Sequence, residues 1–160
     1  MAGRRQPQVD SAMISRRHFL ASAAAVIATR RALFAESAPP VLIVYKDPGC
    51  ECCTKWVKHM SANGFVVSVR DVGNIDEIKR TMNVPAALQS CHTGLLGKYI
   101  IEGHVPADVV KKFVAGNPKS LGLAVPGMPA GSPGMEGGGA VHYDVVEFNR
   151  DGSNRVFAKR

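Results

Sequence analysis

The spacing of apolar and polar residues predicts alternating strands and helices from residue 41 onward. Residues 41–45 form an unbroken apolar run rich in β-branched side chains, which is typical of a buried strand. Residues 53–60 place apolar side chains at helical spacing, and Asn63 and Gly64 end this predicted helix. Residues 65–72 predict a second strand. The first third of the domain therefore predicts a strand–helix–strand unit.

A second helix and a hairpin follow in the pattern. Asn74 and Glu77 form a pair like a capping box, ahead of a helix that runs to about Asn83. Residues 93–96 and 98–102 then predict a hairpin that turns at the glycine between them. These elements add a helix and two strands to the unit.

The last part of the chain predicts one more helix and a closing hairpin. Pro106 is placed for the first turn of a third helix, and residues 122–139 are rich in Gly and Pro without a regular pattern. Residues 141–149 and 155–158 predict the hairpin. A strand–helix–strand unit crosses over right-handed, so the first two strands are expected to be parallel. The whole order matches an α/β, thioredoxin-like domain with a mixed sheet and an added C-terminal β-hairpin.

The N-terminal segment, residues 1–37, has the layout of an export signal. Arg16 and Arg17 precede a short apolar run over residues 19–28, which resembles the bacterial twin-arginine signal. Two more arginines follow the run and would hinder ordinary Sec export. Cleavage fits after Ala35, Ser37 or Ala38. The sequence therefore predicts export to the periplasm and a domain over residues 38–160, the alternative being an ordinary amphipathic or disordered N-terminus.

Composition and charge narrow the class of protein. Hydrophobic residues make up 46% and charged residues 21% of the chain, the balance of a soluble globular protein, and no apolar run reaches the roughly 18 residues that suggest a membrane span. The net charge is +7, but six arginines against two acids place +4 of it in residues 1–38. With one Trp and scattered basic residues, no nucleic-acid surface is predicted. Membrane contact is expected only during export.

Three cysteines lie between the first predicted strand and the first helix. Cys50, Cys52 and Cys53 occupy four consecutive positions with Glu51. Thiols at a helix N-terminus face the positive end of the helix dipole, which favours the thiolate that binds metals or attacks disulfides. Cys50 and Cys53 have the C-x-x-C spacing of thioredoxin-like redox proteins. Cys52 is a third sulfur that a simple dithiol catalyst does not need.

The fourth cysteine precedes the predicted third strand. Cys91 is followed by His92, at a point where thioredoxin-like proteins carry a cis-proline and this chain has none. With this topology, four sulfurs and an imidazole are expected to converge. Thiolates select soft ions such as Cu(I), Zn or iron–sulfur clusters. Three cysteines within four positions crowd a single tetrahedral ion, so the sequence favours a polynuclear, thiolate-bridged site.

Six stretches of the chain carry a further signal: residues 46–53 with Trp56, His59 and Met60, then Val84-Pro85, and residues 90–93, 102–107, 122–129 and 131–136. Together they resemble a bacterial periplasmic family of thioredoxin-like metal-binding proteins that includes the CopG-like copper-resistance proteins. Many members of the family have Gly in place of Glu51, a difference that removes no ligand. The resemblance implies copper binding and a role in copper tolerance.

The candidate ligands combine the cysteines with nearby imidazoles and thioethers. They are Cys50, Cys52, Cys53, Cys91, His92, His104, Met128 and Met135. His92 could instead be a polar loop residue, and His104 could cap the third helix. Met128 and Met135 lie in the Gly/Pro-rich segment, where they could form a lid over the sulfurs or fill an apolar gap. His59 is predicted to be solvated.

The first functional hypothesis is a periplasmic copper-binding protein of copper resistance, with copper, mainly as Cu(I), as its ligand and other periplasmic copper-handling proteins as candidate partners. A site that tolerates both oxidation states would also interconvert Cu(I) and Cu(II), so the pattern leaves a copper oxidoreductase open beside a binding protein. The alternatives are a thiol–disulfide oxidoreductase using Cys50 and Cys53, an iron–sulfur protein, and a protein with structural disulfides.

Overall fold

The computed structural model describes residues 41–160, which form one seven-stranded sheet and three α-helices. The strands are β1 (Val41–Lys46), β2 (Val66–Asp71), β3 (His92–Leu96), β4 (Tyr99–Glu102), β5 (Gly122–Ala124), β6 (Asp144–Phe148) and β7 (Asn154–Lys159). The helices are α1 (Glu51–Ala62), α2 (Ile75–Thr81) and α3 (Ala107–Ala115), with a 3-10 turn over Ala86–Leu88. The export signal predicted for residues 1–37 lies outside the described residues.

The sheet is mixed, as the sequence predicted. Its strand order is β2-β1-β3-β4-β5-β6-β7. The pairs β1–β2 and β4–β5 are parallel, and the other four pairs are antiparallel. The α/β class, the parallel first pair and the two hairpins β3–β4 and β6–β7 are confirmed. Within residues 41–160, the helices are all too short or too polar to cross a membrane.

Strand β5 was not expected from the sequence. The Gly/Pro-rich segment predicted no regular structure, yet its first three residues join β4 to β6. A glycine is required at the first of them, because a Cβ at Gly122 would lie 1.9 Å from the carbonyl oxygen of Ile100. A three-residue strand is too short to produce a recognisable periodicity, so the hydrophobic pattern could not reveal it.

The core lies between the sheet and the apolar faces of α1 and α3. Its fully buried members include Leu42 and Val44 of β1, Trp56 and Met60 of α1, and Val110 and Phe113 of α3. Trp56 also donates its indole N–H to the carbonyl oxygen of Val105, 2.9 Å away. This bond ties α1 to the segment between β4 and α3, where His104 lies.

The residues that could bind a metal lie at one edge of the sheet, where several strands end or begin. The carboxyl end of β1 pairs with the start of β3 through Lys46 and His92, and Thr93 of β3 pairs with Glu102 at the end of β4. Helix α1 starts at the same edge, a few residues after β1. The three stretches that carry the cysteines and His104 therefore meet in space, as the predicted topology required.

Candidate metal centre

The turn before α1 is fixed by hydrogen bonds that set the position of Cys50. The buried Lys46 donates to the carbonyl oxygens of Asp47 at 3.0 Å and Pro48 at 3.3 Å, and it forms an ion pair with Asp71 at 3.0 Å. The amide of Gly49 donates to the Asp47 carboxylate at 2.8 Å. Cys50 then begins α1 as its N-cap residue, with no side-chain capping bond. Its sulfur is thus available to other partners.

The four cysteine sulfurs lie together, all within 4.8 Å of one another. Cys50 and Cys53 form a disulfide, while Cys52 and Cys91 are free thiols. The sulfur of Cys52 is 3.5 Å from that of Cys50 and 3.9 Å from that of Cys91, although Cys52 and Cys91 are 39 positions apart in the chain. The proposed four-thiolate cluster therefore requires reduction of this disulfide first.

Two imidazoles complete a second group around Cys91. The Cys91 sulfur is 2.9 Å from Nε2 of His104 and 3.4 Å from Nδ1 of His92. These three ligand atoms also lie within 4.8 Å of one another, and both histidines are fully buried. Cys91 therefore belongs to both groups, the four sulfurs and the thiol–imidazole trio.

The orientation of His104 is set by the Gly/Pro-rich segment. Its Nδ1 is 2.8 Å from the carbonyl oxygen of Pro133. A carbonyl only accepts, so Nδ1 carries the proton and Nε2 presents its lone pair to Cys91. Histidine ligands of metal sites commonly donate their second N–H to a backbone carbonyl in this way. His104 does not cap α3, whose N-cap residue is Pro106.

His92 lies on β3 with its ring in the interior, so the alternative of a polar loop residue is wrong. Its ring centroid is 4.3 Å from that of Trp56 and 5.1 Å from that of His104. Its Nε2 is buried and has no hydrogen-bond partner among residues 41–160. A buried polar atom without a partner is costly and is uncommon in structural roles.

Burial keeps Cys91 and the two imidazoles uncharged. Burial, with the nearby Cys52, raises the pKa of Cys91 to about 12. Burial also lowers the pKa of His92 well below its usual value, an effect to which His104 and Lys79 add. The pKa of His104 is lowered by burial too. A cation that binds here meets neutral imidazoles and displaces the thiol proton as it binds.

The two methionines of the Gly/Pro-rich segment share a cleft with Cys52. The cleft measures about 500 Å³ and is also lined by Glu51, Lys55 and Glu136. Met128 is 51% exposed, so it does not fill an apolar gap. Met135 is half-buried. Both methionines therefore line the same cleft as Cys52.

Close packing of Gly134 holds this segment against α1. A Cβ at this position would lie 2.6 Å from the carbonyl oxygen of Cys52, 3.1 Å from the amide of Trp56 and 3.2 Å from Nδ1 of His104. The Gly134 amide donates to the carboxylate of Glu136 at 2.8 Å. Glycine at 134 thus allows the backbone to approach the helix and to bring Pro133 within reach of His104.

A buried ion pair behind the centre was not anticipated from the sequence. Lys79 of α2 and Glu102 of β4 are 1% and 0% exposed, and Nζ is 2.5 Å from Oε1. The Glu102 carboxylate also accepts from Thr93 Oγ1 at 2.7 Å and from the amide of Ser90 at 2.7 Å. Lys79 further donates to Thr93 at 3.1 Å. The network joins the residue before Cys91 to the strand that leads to His104.

The prediction that His59 is solvated is wrong. It is half-buried on α1, and its Nε2 accepts a hydrogen bond from the amide of Ala107 at 3.1 Å. That amide is one of the unpaired N–H groups at the start of α3, where no other side chain acts as a cap. Burial lowers the pKa of His59, which keeps the ring neutral and able to accept.

We expect this contact to make stability depend on pH. Substituting His59→Ala removes an acceptor worth about 0.5–1.5 kcal/mol of unfolding free energy near pH 7.5. Because the pKa of His59 in the folded protein lies below its ordinary value, the contribution is complete above that ordinary value. It is lost as the pH falls through the folded-state pKa. Urea unfolding of copper-free wild type and variant, at pH 7.5 and pH 5, measures the difference.

The exposed His142 serves as the control, and the variant His142→Ala should follow the wild type at both pH values. A difference between wild type and His59→Ala that stays the same from pH 7.5 to pH 5 would show that the ring does not act as a titrating cap.

Thiols and neutral imidazoles at one sheet edge, with two thioethers in the cleft that Cys52 lines, make up a donor set that suits soft cations. Alternating helices and strands around a mixed sheet hold this set. Fold and site together define the chain as a small α/β protein with a candidate soft-metal centre.

Comparison with known proteins narrows this class. A family model described as "Protein of unknown function, DUF411" matches residues 88–135. No curated protein sequence matches the chain. Two solved structures, described as copper resistance protein copG in Form 1 and Form 2, share 41% and 40% identity with TM-scores of 0.72 and 0.71. Each alignment covers 76% of this chain and 98% of the other. The chain belongs to the CopG family of copper resistance proteins.

Proposed function

We propose that the protein binds copper, as Cu(I), and that this binding contributes to copper resistance. The observation that carries the proposal is the meeting of sulfurs from two distant stretches, with Cys52 and Cys91 3.9 Å apart. The proposed ligands are Cys50, Cys52, Cys53 and Cys91, with His92, His104, Met128 and Met135 as further or outer ligands. The name of the two related structures and the softness of this donor set both support copper.

The crowding of the sulfurs supports more than one ion per chain. Four sulfurs within 4.8 Å of one another, three of them from four consecutive residues, leave little room around a single tetrahedral ion. Thiolates that bridge two ions relieve this crowding. The contacts of Cys91 with His92 and His104 support it as a bridging ligand in the reduced protein.

The fold and the location belong to the same proposal. The order β2-β1-β3-β4, with β1 parallel to β2 and antiparallel to β3, supports a thioredoxin-like domain extended by β5, β6 and β7. The arginine pair of the N-terminal segment supports export to the periplasm by the twin-arginine route. There the protein would exchange copper with other periplasmic copper-handling proteins.

Copper stoichiometry tests the function. Protein isolated from the periplasm, reduced and loaded with Cu(I) without oxygen, should retain more than one copper per chain. The variant Cys91→Ser should lose most of this copper, because it removes the sulfur common to both groups. His142→Ala, at an exposed position, should bind as the wild type does. Iron with acid-labile sulfide in place of copper would overturn the proposal.

A thiol–disulfide oxidoreductase is a second candidate, and the Cys50–Cys53 disulfide favours it. A metal-free protein that reduces insulin with a dithiol donor, and keeps this activity as Cys52→Ser, would support it. If the metal-free protein does not reduce insulin, although the same preparation binds copper when loaded, the oxidoreductase function would be excluded.

A further inference from the structure

The disulfide form of the protein retains a set of metal ligands. Closing Cys50 and Cys53 removes two of the four sulfurs from the first group but none of the ligand atoms of the trio Cys91, His92 and His104. In this form the ligand atoms of the trio already lie within 4.8 Å of one another, and both histidines are fully buried. The two groups therefore differ in their dependence on the redox state.

The distances within the trio are close to those of a coordinated ion. Sulfur and nitrogen ligands of a tetrahedral first-row ion, at about 2.3 and 2.0 Å, lie about 3.5 Å apart. The Cys91 sulfur is 3.4 Å from His92 and 2.9 Å from His104, so only the second separation must open by about half an ångström. The Pro133 carbonyl already holds His104 in the tautomer that a ligand needs.

We propose that the Cys50–Cys53 disulfide divides copper loading into two stages. The disulfide form binds one Cu(I) through Cys91, His92 and His104, and further ions bind only after a dithiol has reduced the disulfide. This inference rests on the proposed copper-binding function and adds a redox partner, a protein or small molecule with two thiols.

The reduction can be written as a balanced exchange. A thiolate of the partner attacks the sulfur of Cys50, which is half-buried, whereas Cys53 is fully buried. The Cys50–Cys53 bond breaks, Cys53 leaves as a thiolate and takes up a proton, and a mixed disulfide remains on Cys50. The second thiol of the partner then attacks the partner sulfur that is bound to Cys50, and Cys50 is released as a thiol. The partner ends as a disulfide, and two electrons and two protons have passed to the protein.

Cys52 cannot replace the external dithiol, because its attack on the Cys50–Cys53 disulfide would form a new disulfide within the cluster. Its sulfur lies 3.5 Å from Cys50 and 3.9 Å from Cys91, so exchange within the cluster would only move the disulfide from one pair to another. The number of thiols stays at two until electrons come from outside. The count of free thiols before copper is added therefore reports the redox state directly.

The test compares copper binding in the two redox forms of the full chain. Disulfide-form protein and protein treated with dithiothreitol, then freed of it, are each titrated with Cu(I) under anaerobic conditions. Bound copper and free thiols are counted after desalting. We expect one copper per chain in the disulfide form and more than one after reduction. X-ray absorption of the first form should show nitrogen and sulfur neighbours in the ratio of two to one.

Three variants separate the stages. His104→Gln should lose the copper of the disulfide form while the reduced form still binds copper, and His142→Gln is the control at an exposed position. The double variant Cys50→Ser/Cys53→Ser should hold one copper with or without dithiothreitol. Circular dichroism verifies that each variant is folded.

The results distinguish this inference from the function it rests on. Copper binding by reduced protein with none in the disulfide form would overturn the two stages and leave the proposed function in place. Equal copper counts in both forms would overturn them as well. A reduced protein that binds no copper would overturn both.

Discussion

Replacing Glu102 with leucine is expected to lower the free energy of unfolding by about 3–5 kcal/mol. The substitution leaves the ammonium of Lys79 buried without its counter-ion, since that side chain is only 2% exposed. It also removes the acceptor of the Thr93 hydroxyl and of the Ser90 amide. A buried charge without a partner costs far more than an intact pair contributes, which explains the size of the effect. Chemical unfolding of the copper-free protein measures it.

The double variant Lys79→Met/Glu102→Leu provides the matched comparison. It removes both charges from the same buried space and should recover most of the stability lost in Glu102→Leu. The exposed pair Arg160–Asp108 serves as a control, because Asp108→Asn should change stability by less than about 1 kcal/mol. Equal losses in the single and double buried variants would mean that the unpaired charge is not the cause.

The second large effect is expected from Gly134→Ala, which should weaken Cu(I) binding by about 10- to 100-fold. A Cβ at Gly134 would overlap the carbonyl oxygen of Cys52 at 2.6 Å. The backbone there also has a φ of +93°, which side chains other than glycine rarely adopt. The segment must move away from α1, and His104 then loses the Pro133 carbonyl that fixes its tautomer. Competition with a chromophoric Cu(I) chelator measures the affinity.

The variant Gly137→Ala separates the effect of close packing from the effect of backbone strain. Gly137 has a similar φ of +105°, but a Cβ there would meet nothing within 4 Å. This variant should share the backbone strain of Gly134→Ala and keep the wild-type copper affinity. Nitrogen NMR of the His104 ring should show a change of tautomer population in Gly134→Ala only. Equal loss of affinity in both variants would contradict the role given to close packing.

Much of the fold could be predicted because its signals are local. The apolar run of β1, the helical spacing of α1 and the glycine turn between β3 and β4 each lie within a dozen residues. The Asn74 cap is also local, and its side chain accepts from the Glu77 amide as expected. The strand β5 has no such local signal, since its three residues are defined by their pairing with β4 and β6 rather than by their own pattern.

The sequence predicted the ligand types of the candidate centre and the meeting of its sulfurs, but not its bonding. Cysteine spacing and topology predicted that the sulfurs meet, but the pairing of Cys50 with Cys53 depends on geometry that four cysteines leave open. The buried Lys79 was hidden because it lies in a helix whose neighbouring residues are mostly polar. Its burial follows from the packing of α2 against β1 and β3, which no local pattern contains.

The distance along the chain between Cys52 and Cys91, 39 positions, couples metal retention to the integrity of the whole domain. An unfolded chain offers scattered thiols, whereas the folded chain offers them together, so copper at the proposed site would bind preferentially to the folded state. Every tenfold excess of free copper over the dissociation constant then adds about 1.4 kcal/mol to the resistance against unfolding. Protein with bound copper should then resist proteolysis longer than copper-free protein, and an abundant supply of the ion would prolong the lifetime of the protein that binds it.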